Sequence, residues 1–380
     1  MREVYLDYAA ATPVDARVMQ VMLPFFTQHY GNPGSVHALG QYAADAVQSA
    51  RQSIARVLGC FTHEVLFTGS GTESVNLALQ GVAFSLMHKG RHIITQASEH
   101  HAVLHTLEHL QSKGFRITVL KPDNHGVISA TQVENAIQPD TILCSIMYAN
   151  NEVGTVQPLA ELSKVCQSRG VLFHSDACQA AGLLPLRIQE IGVDLLSLDA
   201  GKMYGPKGVG ILYVRSGVSV TPLVFGGAQE YNHRAGTEHV VGIVGAAKAL
   251  EIAELERKTE VPRLAELRDL LIKELVSMGC QLNGSATQSL ANNVSVIFPR
   301  CEAERFVLQL SERGVYASTG SACTSKTMQS SHVLLAIGLQ PAQAHGTVRF
   351  TLGRFTAKED VMHVIQTIKQ LVGPVKVAIC

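Results

Sequence analysis

The sequence predicts an α/β protein: a mainly parallel sheet of seven strands with helices on both faces, joined to a smaller α+β domain. Three observations lead there. Between Glu64 and Val214, short β-branched apolar runs alternate with turns and helix-period segments. Several of those runs are apolar on both faces, as the buried strands of a parallel sheet are. After Lys258 the pattern changes to charged helices and isolated strand-like segments.

The seven strand candidates are Glu64 to Thr68, His92 to Gln96, Arg116 to Leu120, Thr141 to Met147, Val171 to Ser175, Asp194 to Leu198 and Gly210 to Val214. Helices are expected at Thr72 to Lys89, His101 to Lys113, Leu159 to Arg169 and Val240 to Lys258, with Gly90, Gly114 and Gly170 as stops. The second domain is expected to hold a charged helix from Val261 to Met278, a strand from Asn293 to Ile297, a helix from Ala303 to Arg313 and an extended segment from Thr347 to Thr351. The resulting division is 15–258 for the large domain, with 1–14 and 259–380 forming the small one. No fixed-period repeat or low-complexity tract is visible, which excludes solenoids and disordered arms.

Composition narrows the function classes. A chain of 380 residues, 46% hydrophobic, can bury a full core. Its 31 basic and 31 acidic side chains cancel, so no global field draws it to nucleic acid or to an anionic membrane. The start, MREVYLDYAAATPVD, lacks the order of a secretory signal, and no apolar run has the length of a membrane span. A cytoplasmic protein is expected. The eight cysteines form no CxxC pair, so neither a zinc knuckle nor a disulfide scaffold is suggested.

Six segments carry candidate chemistry. EVLFTGSGTESVNLAL reads strand, glycine turn, helix; Gly69 and Gly71 let backbone amides approach an anion at the helix start, for which a phosphate is the natural ligand. A plain turn capped by Thr72 reads equally well. HSDACQ places Asp176 at a strand's carboxyl end, where it can hold a pyridine nitrogen protonated or simply cap a turn. Lys202, in DLLSLDAGKMYGPKG, follows a buried strand; a lysine desolvated there forms Schiff bases with aldehydes, while a surface lysine is the plain alternative. Lys207 reads as a solvated charge.

His100 sits between a strand and a helix, where its ring can stack on a planar cofactor, and His101, His105 and His109 follow at helical spacing as a solvated or partner-facing stripe. A metal site would recruit a carboxylate or a cysteine as well, so no metal is expected. YASTGSACTSKTMQSSH reads as a mobile exposed loop carrying Cys323, either as a travelling thiolate or as a thiol without a task. In HGTVRFTLGRF, alternation points Arg349 inward, where a guanidinium can clamp an amino acid's carboxylate; Arg354 suits a surface salt bridge.

Taken together these segments resemble the cysteine desulfurases of the NifS/IscS type, in the class V aminotransferase group of fold-type I pyridoxal-phosphate enzymes. The resemblance runs from YLDYAAATPVD and YGNPGSVHALG through TGSGTESVN, SEHHAV, YANNEVGTVQ, HSDACQ, GKMYGPKG, HRAGTEH and STGSACTS to RFTLGRF, in the family's order. It implies pyridoxal 5'-phosphate as cofactor and L-cysteine as substrate, with sulfur passing to Cys323 as a persulfide and alanine left behind. By resemblance Lys202 is the Schiff-base lysine, Asp176 the partner of the pyridine nitrogen, and His100 the stacking and proton-moving ring. Gly71, Thr72 and Gln179 fix the cofactor and Asn151 bonds its phenolic oxygen. Thr237 reaches the phosphate from a neighbouring subunit, implying a homodimer, and Asn32 and Arg349 hold the substrate carboxylate. The sulfur acceptor implied is a protein of iron–sulfur cluster assembly or a tRNA-thiolation relay, without direct contact to nucleic acid or membrane.

Two departures stand out. Where the family commonly has Ser-x-His-Lys, this chain has Asp199, Ala200, Gly201 and Lys202. An aspartate beside a phosphate dianion repels it unless the side chain turns away, so Asp199 is left out of the expected site. The stretch after RFTLG is also shorter than in long-tailed relatives whose extensions dock a cluster scaffold.

Overall fold

Thirteen strands are found among the described residues. These residues are 2–299, 301–320 and 330–372 of the computed structural model. In chain order the strands are β1 (Val4–Tyr5), β2 (Val65–Thr68), β3 (His92–Gln96), β4 (Arg116–Leu120), β5 (Thr141–Ser145), β6 (Leu172–Asp176), β7 (Leu195–Asp199), β8 (Gly210–Val214), β9 (Gln281–Leu282), β10 (Asn293–Ile297), β11 (Val315–Tyr316), β12 (Ser318–Thr319) and β13 (Thr347–Thr351).

Seven of them form the expected large sheet, in the order β2-β8-β7-β6-β5-β3-β4. Strands β4, β3, β5, β6 and β7 are mutually parallel, while β8 runs antiparallel to both neighbours, β7 and β2. The reversal has a local cause. The link from β7 to β8 is short and turns through Gly205-Pro206-Lys207-Gly208, whereas a parallel neighbour needs a crossover of a dozen residues or more. Because β8 opposes both neighbours, β2 and β7 run in the same direction.

The remaining strands lie outside that sheet. Strands β12, β13, β10 and β9 make an antiparallel sheet, and β1 pairs in parallel with β11. Two of the apolar cores follow this division, a third, with Leu66, Ile93, Leu143 and Leu212, lying on the opposite face of the large sheet. One packs Phe173, Leu196, Ile211 and Ile54 with helix residues Ile243 and Leu250; the other packs Phe350, Val296 and Phe306 with Leu264, Leu271 and Leu275.

The helix Val240–Ser277 serves both cores, and here the sequence reading is corrected: the helices expected on either side of Lys258 are one, with Pro262 inside it. Ion pairs Arg257–Glu254 and Arg263–Glu260, at helical spacing, line the stretch between the cores. We propose that the domains divide within this helix near Lys258, because Leu250, Ile252 and Ala253 belong to the first core and Leu264 onward to the second.

Two long helices, Ala38–Leu58 and Lys358–Val372, were not expected from the sequence. Gly114 and Gly170 end their helices at φ of 88° and 68°, a conformation glycine adopts without steric cost. No helix among the described residues is long and apolar enough to cross a membrane.

Candidate active site

Strands β2, β3, β5, β6 and β7 release the chain at one edge of the large sheet, where ligands of open α/β sheets gather. A pocket of about 280 Å3 lies there. Its wall takes Gly71 and Thr72 after β2, His100 after β3, and Asn151 after β5. Asp176 and Gln179 come from the end of β6, Lys202 from beyond β7 and Arg349 from β13. Eight of the residues expected in the site thus meet in one cavity although they are scattered over most of the chain.

Lys202 closes a single 3-10 turn, Ala200–Lys202, and its Nζ donates to the carbonyls of Ala9 and Ala10 at 3.0 and 2.5 Å. The N-terminal segment therefore forms the wall facing the amine. Gln179 braces the same segment, its Nε2 donating to Ala9 O at 3.0 Å. Lys207, read as a solvated charge, donates to Thr12 O at 3.1 Å.

Asp176 is the last residue of β6 and only 7% exposed; its Oδ1 accepts from Cys178 N at 3.0 Å. Behind it is Glu99, which the sequence reading missed. Its Oε1 accepts from Met147 N and Gln96 Nε2 at 2.6 and 2.9 Å, and Oε2 has no partner among the described residues. Burial, with the nearby Asp176 charge adding to it, pushes the Glu99 carboxyl up to about 8. Near neutral pH Glu99 therefore keeps its proton and does not oppose the Asp176 carboxylate.

His100 caps the helix His101–Ser112, Nδ1 accepting from Ala102 N at 3.1 Å, which assigns the neutral ring's proton to Nε2. His101, expected on a solvated stripe, instead lines the pocket. It lies 4.8 Å from the His105 ring and 4.6 Å from that of His332, and burial pushes it down to about 4. No group of three His, Cys, Asp or Glu among the described residues is placed to hold a metal ion.

Arg349 is 3% exposed, and its two terminal nitrogens donate to Asp7 Oδ1 at 2.8 Å and Asn151 O at 2.7 Å. A substrate carboxylate would share this guanidinium with Asp7. The Asn151 Oδ1 is buried without a partner among the described residues. Arg354 bridges Asp15 and Glu256, which ties the N-terminal segment to the long helix and buries most of its side chain, so it is no simple surface pair.

Three further groups revise the expected site. The helix Gly71–Leu86 is capped by Ser70, whose Oγ accepts from Glu73 N at 3.1 Å, and not by Thr72. Asp199, left out by the sequence reading, lines the pocket with its carboxylate on Gly71 N and Gly201 N at 2.9 and 2.8 Å. Glu152, also missed, lines it too and accepts from Ser331 Oγ at 2.5 Å; burial pushes its carboxyl up to about 7. Neither acid stands in a pattern that spacing or hydropathy singles out.

Asn32 and Thr237 are not brought to this pocket within one chain. Both are exposed, and Asn32 Oδ1 accepts from Gly34 N at 2.8 Å in its own turn. Cys323 lies outside the described residues. Its neighbours in sequence, Gly320 and His332, both line the pocket.

The residues fit a pyridine aldehyde: a buried carboxylate, a lysine amine, an imidazole and an unpartnered buried amide converge on one cavity. The cradle beside Gly71 is close, since a Cβ there would lie 2.6 Å from Cys178 Sγ.

Comparison with known proteins agrees with this picture. The family model described as aminotransferase class-V matches residues 4–364. Cysteine desulfurase IscS of Dictyoglomus turgidum is 47% identical over 98% of this chain and 95% of its own length; its namesake from Methanosarcina thermophila is 46% identical over 98% and 92%. Among solved structures, a NifS-like protein superposes with a TM-score of 0.93 at 38% identity, covering 98% of this chain and 99% of that one. A structure described as SspA in complex with cysteine gives a TM-score of 0.83 at 37% identity, covering 93% and 99%.

Proposed function

The chain belongs to the class-V aminotransferase family, and on that premise we propose that it is a pyridoxal 5'-phosphate-dependent cysteine desulfurase. The observation that carries this reading is the convergence of Lys202, Asp176 and His100, from three separate strand ends, on one pocket. The relatives named cysteine desulfurase, and the related SspA structure that holds cysteine, support the substrate.

When bound, the cofactor supplies an aldehyde for amines and a ring that takes up negative charge from the substrate's α-carbon. Lys202, once clear of the Ala9 and Ala10 carbonyls, would hold the aldehyde, and its amine, when the substrate amine has taken its place there, would be the base for the α-proton. Asp176 offers the pyridine nitrogen a buried carboxylate, and His100 Nε2 carries a proton at the pocket wall. Asn151, whose Nδ2 would donate to the phenolic oxygen, borders the same pocket, and Arg349 would hold the substrate carboxylate. Gly71, Thr72 and Gln179, which line the pocket, would hold the remainder of the cofactor.

Cys323 takes the sulfur. Its thiolate attacks the substrate sulfur, an S–S bond forms as the C–S bond breaks, the released electron pair takes a proton at the β-carbon, and the proton taken by Lys202 returns to the α-carbon to give alanine. Sequence position supports this assignment: Gly320 and His332, which line the pocket, stand on either side of Cys323 in the chain. The persulfide then supplies a sulfur-acceptor protein in iron–sulfur cluster assembly or tRNA thiolation, in the cytoplasm, as the family resemblance implies.

The functional unit is a homodimer. Exposed Phe26, Tyr30, Val36 and Phe225 offer apolar surface for a second copy, and Thr237, exposed and outside this chain's own pocket, would serve that copy's cofactor.

The test is spectroscopic. Purified chain given pyridoxal 5'-phosphate should develop the absorbance of a lysine-linked cofactor, and Lys202→Ala should not. Equal spectra in the two proteins would remove Lys202 from its role.

A further inference from the structure

We propose that Asp199 sets this chain's affinity for the phosphate of its cofactor by seating its own carboxylate on the amides that a phosphate would use; the proposal rests on the cofactor reading above. The first amides of a helix have no partner within it and carry a partial positive charge, which makes the start of Gly71–Leu86 an anion seat. In this chain the seat is taken from within. Asp199 Oδ2 accepts from Gly71 N at 2.9 Å, and Oδ1 accepts from Gly201 N at 2.8 Å.

Asp199 ends β7 and caps the turn that carries Lys202, so one carboxylate closes both the helix entrance and the base of the reactive lysine. Little room is left around it. A Cβ on Gly71 would lie 3.2 Å from Asp199 Oδ2, and one on Gly201 would lie 3.1 Å from Oδ1.

The pocket's charges do not offset this. Its wall carries the carboxyl groups of Asp176, Glu152 and Asp199 against the cationic side chains of Lys202 and Arg349. Lys202 is tied to the Ala9 and Ala10 carbonyls and Arg349 to Asp7. Close by, the Arg234 guanidinium is paired with Glu73 at 2.8 Å. A phosphate dianion seated on Gly71 N therefore displaces a like-charged group, and that displacement weakens its binding.

A cofactor without a phosphate meets no such opposition, so the chain should prefer pyridoxal 5'-phosphate over pyridoxal by less than a site with an open helix start. The test compares the native chain with Asp199→Asn and Asp199→Ser. Each is titrated with pyridoxal 5'-phosphate, with pyridoxal and with inorganic phosphate, binding being read by equilibrium dialysis and by the shift in melting temperature. Both variants should bind pyridoxal 5'-phosphate and inorganic phosphate about tenfold tighter or more, while pyridoxal changes little. Unchanged or weaker phosphate binding in either variant, with native-like melting, overturns the proposal. The inorganic phosphate arm decides this even if no lysine-linked cofactor forms, an outcome that would instead count against the cofactor reading.

Discussion

Replacing Glu152 with glutamine removes an ionisable group from the pocket wall while keeping an oxygen to accept from Ser331 Oγ. The Glu152 carboxyl is 5% exposed, and burial raises it from 4.5 to about 7. The folded chain therefore holds this proton more tightly than the unfolded chain does. The stabilisation is complete below about pH 4.5, falls as pH rises, and is lost above about pH 7; the span is worth about 3 kcal/mol. Glutamine has no proton to lose. Relative to the native chain, Glu152→Gln should gain about 3 kcal/mol between pH 4 and pH 8. For 380 residues the unfolding entropy is about 0.8 kcal/mol per kelvin, so the relative melting temperature should rise by about 4 °C. Melting curves of both proteins without cofactor, followed by circular dichroism at several pH values across that range, measure the difference. Parallel curves would show that Glu152 is not held neutral by burial, and the reasoning would fail.

Other expectations follow from the same contacts. Arg51 and Glu230 form a buried pair at 2.8 Å, so Arg51→Ala strands a carboxylate and should cost about 3–5 kcal/mol in urea unfolding. Leu271→Ala empties a fully buried position in the second core and should cost about 2–5 kcal/mol, read the same way. Asp176→Asn keeps the shape and loses the charge; alanine formation from cysteine should fall by about tenfold or more, while melting without cofactor moves little.

The large sheet was legible because its strands are β-branched runs bounded by turn residues; β3, β4 and β8 fall where the pattern puts them, as do β10 and β13 in the second sheet. Boundaries slipped by a residue or two: apolar Ile146 and Met147 follow the end of β5, while β6 and β7 start and end one residue later than the apolar runs, on Asp176 and Asp199. The helix through Lys258 was read as two because its character changes there from apolar to charged, whereas Arg257–Glu254 and Arg263–Glu260 pair along one continuous helix. Helix Ala38–Leu58 lies ahead of the alternating strands and helices that mark the large sheet, and no strand-like run beside it signals its place.

The site divides in the same way. Lys202, Asp176 and His100 were found because each follows a strand and carries recognisable chemistry. Glu99, Glu152 and Asp199 were not, because their part depends on burial and on which amides they meet across the fold. Asp199 is the instructive case: charge repulsion alone excludes it from a phosphate seat, yet Gly71 N and Gly201 N hold it there.

The most direct test of the account is mass spectrometry of the cofactor-loaded chain after incubation with L-cysteine. The account predicts one extra sulfur atom on the peptide containing Cys323, absent from Lys202→Ala. Sulfur carried on another cysteine, such as Cys178 in the pocket wall, or none on Cys323 while alanine accumulates, would contradict it.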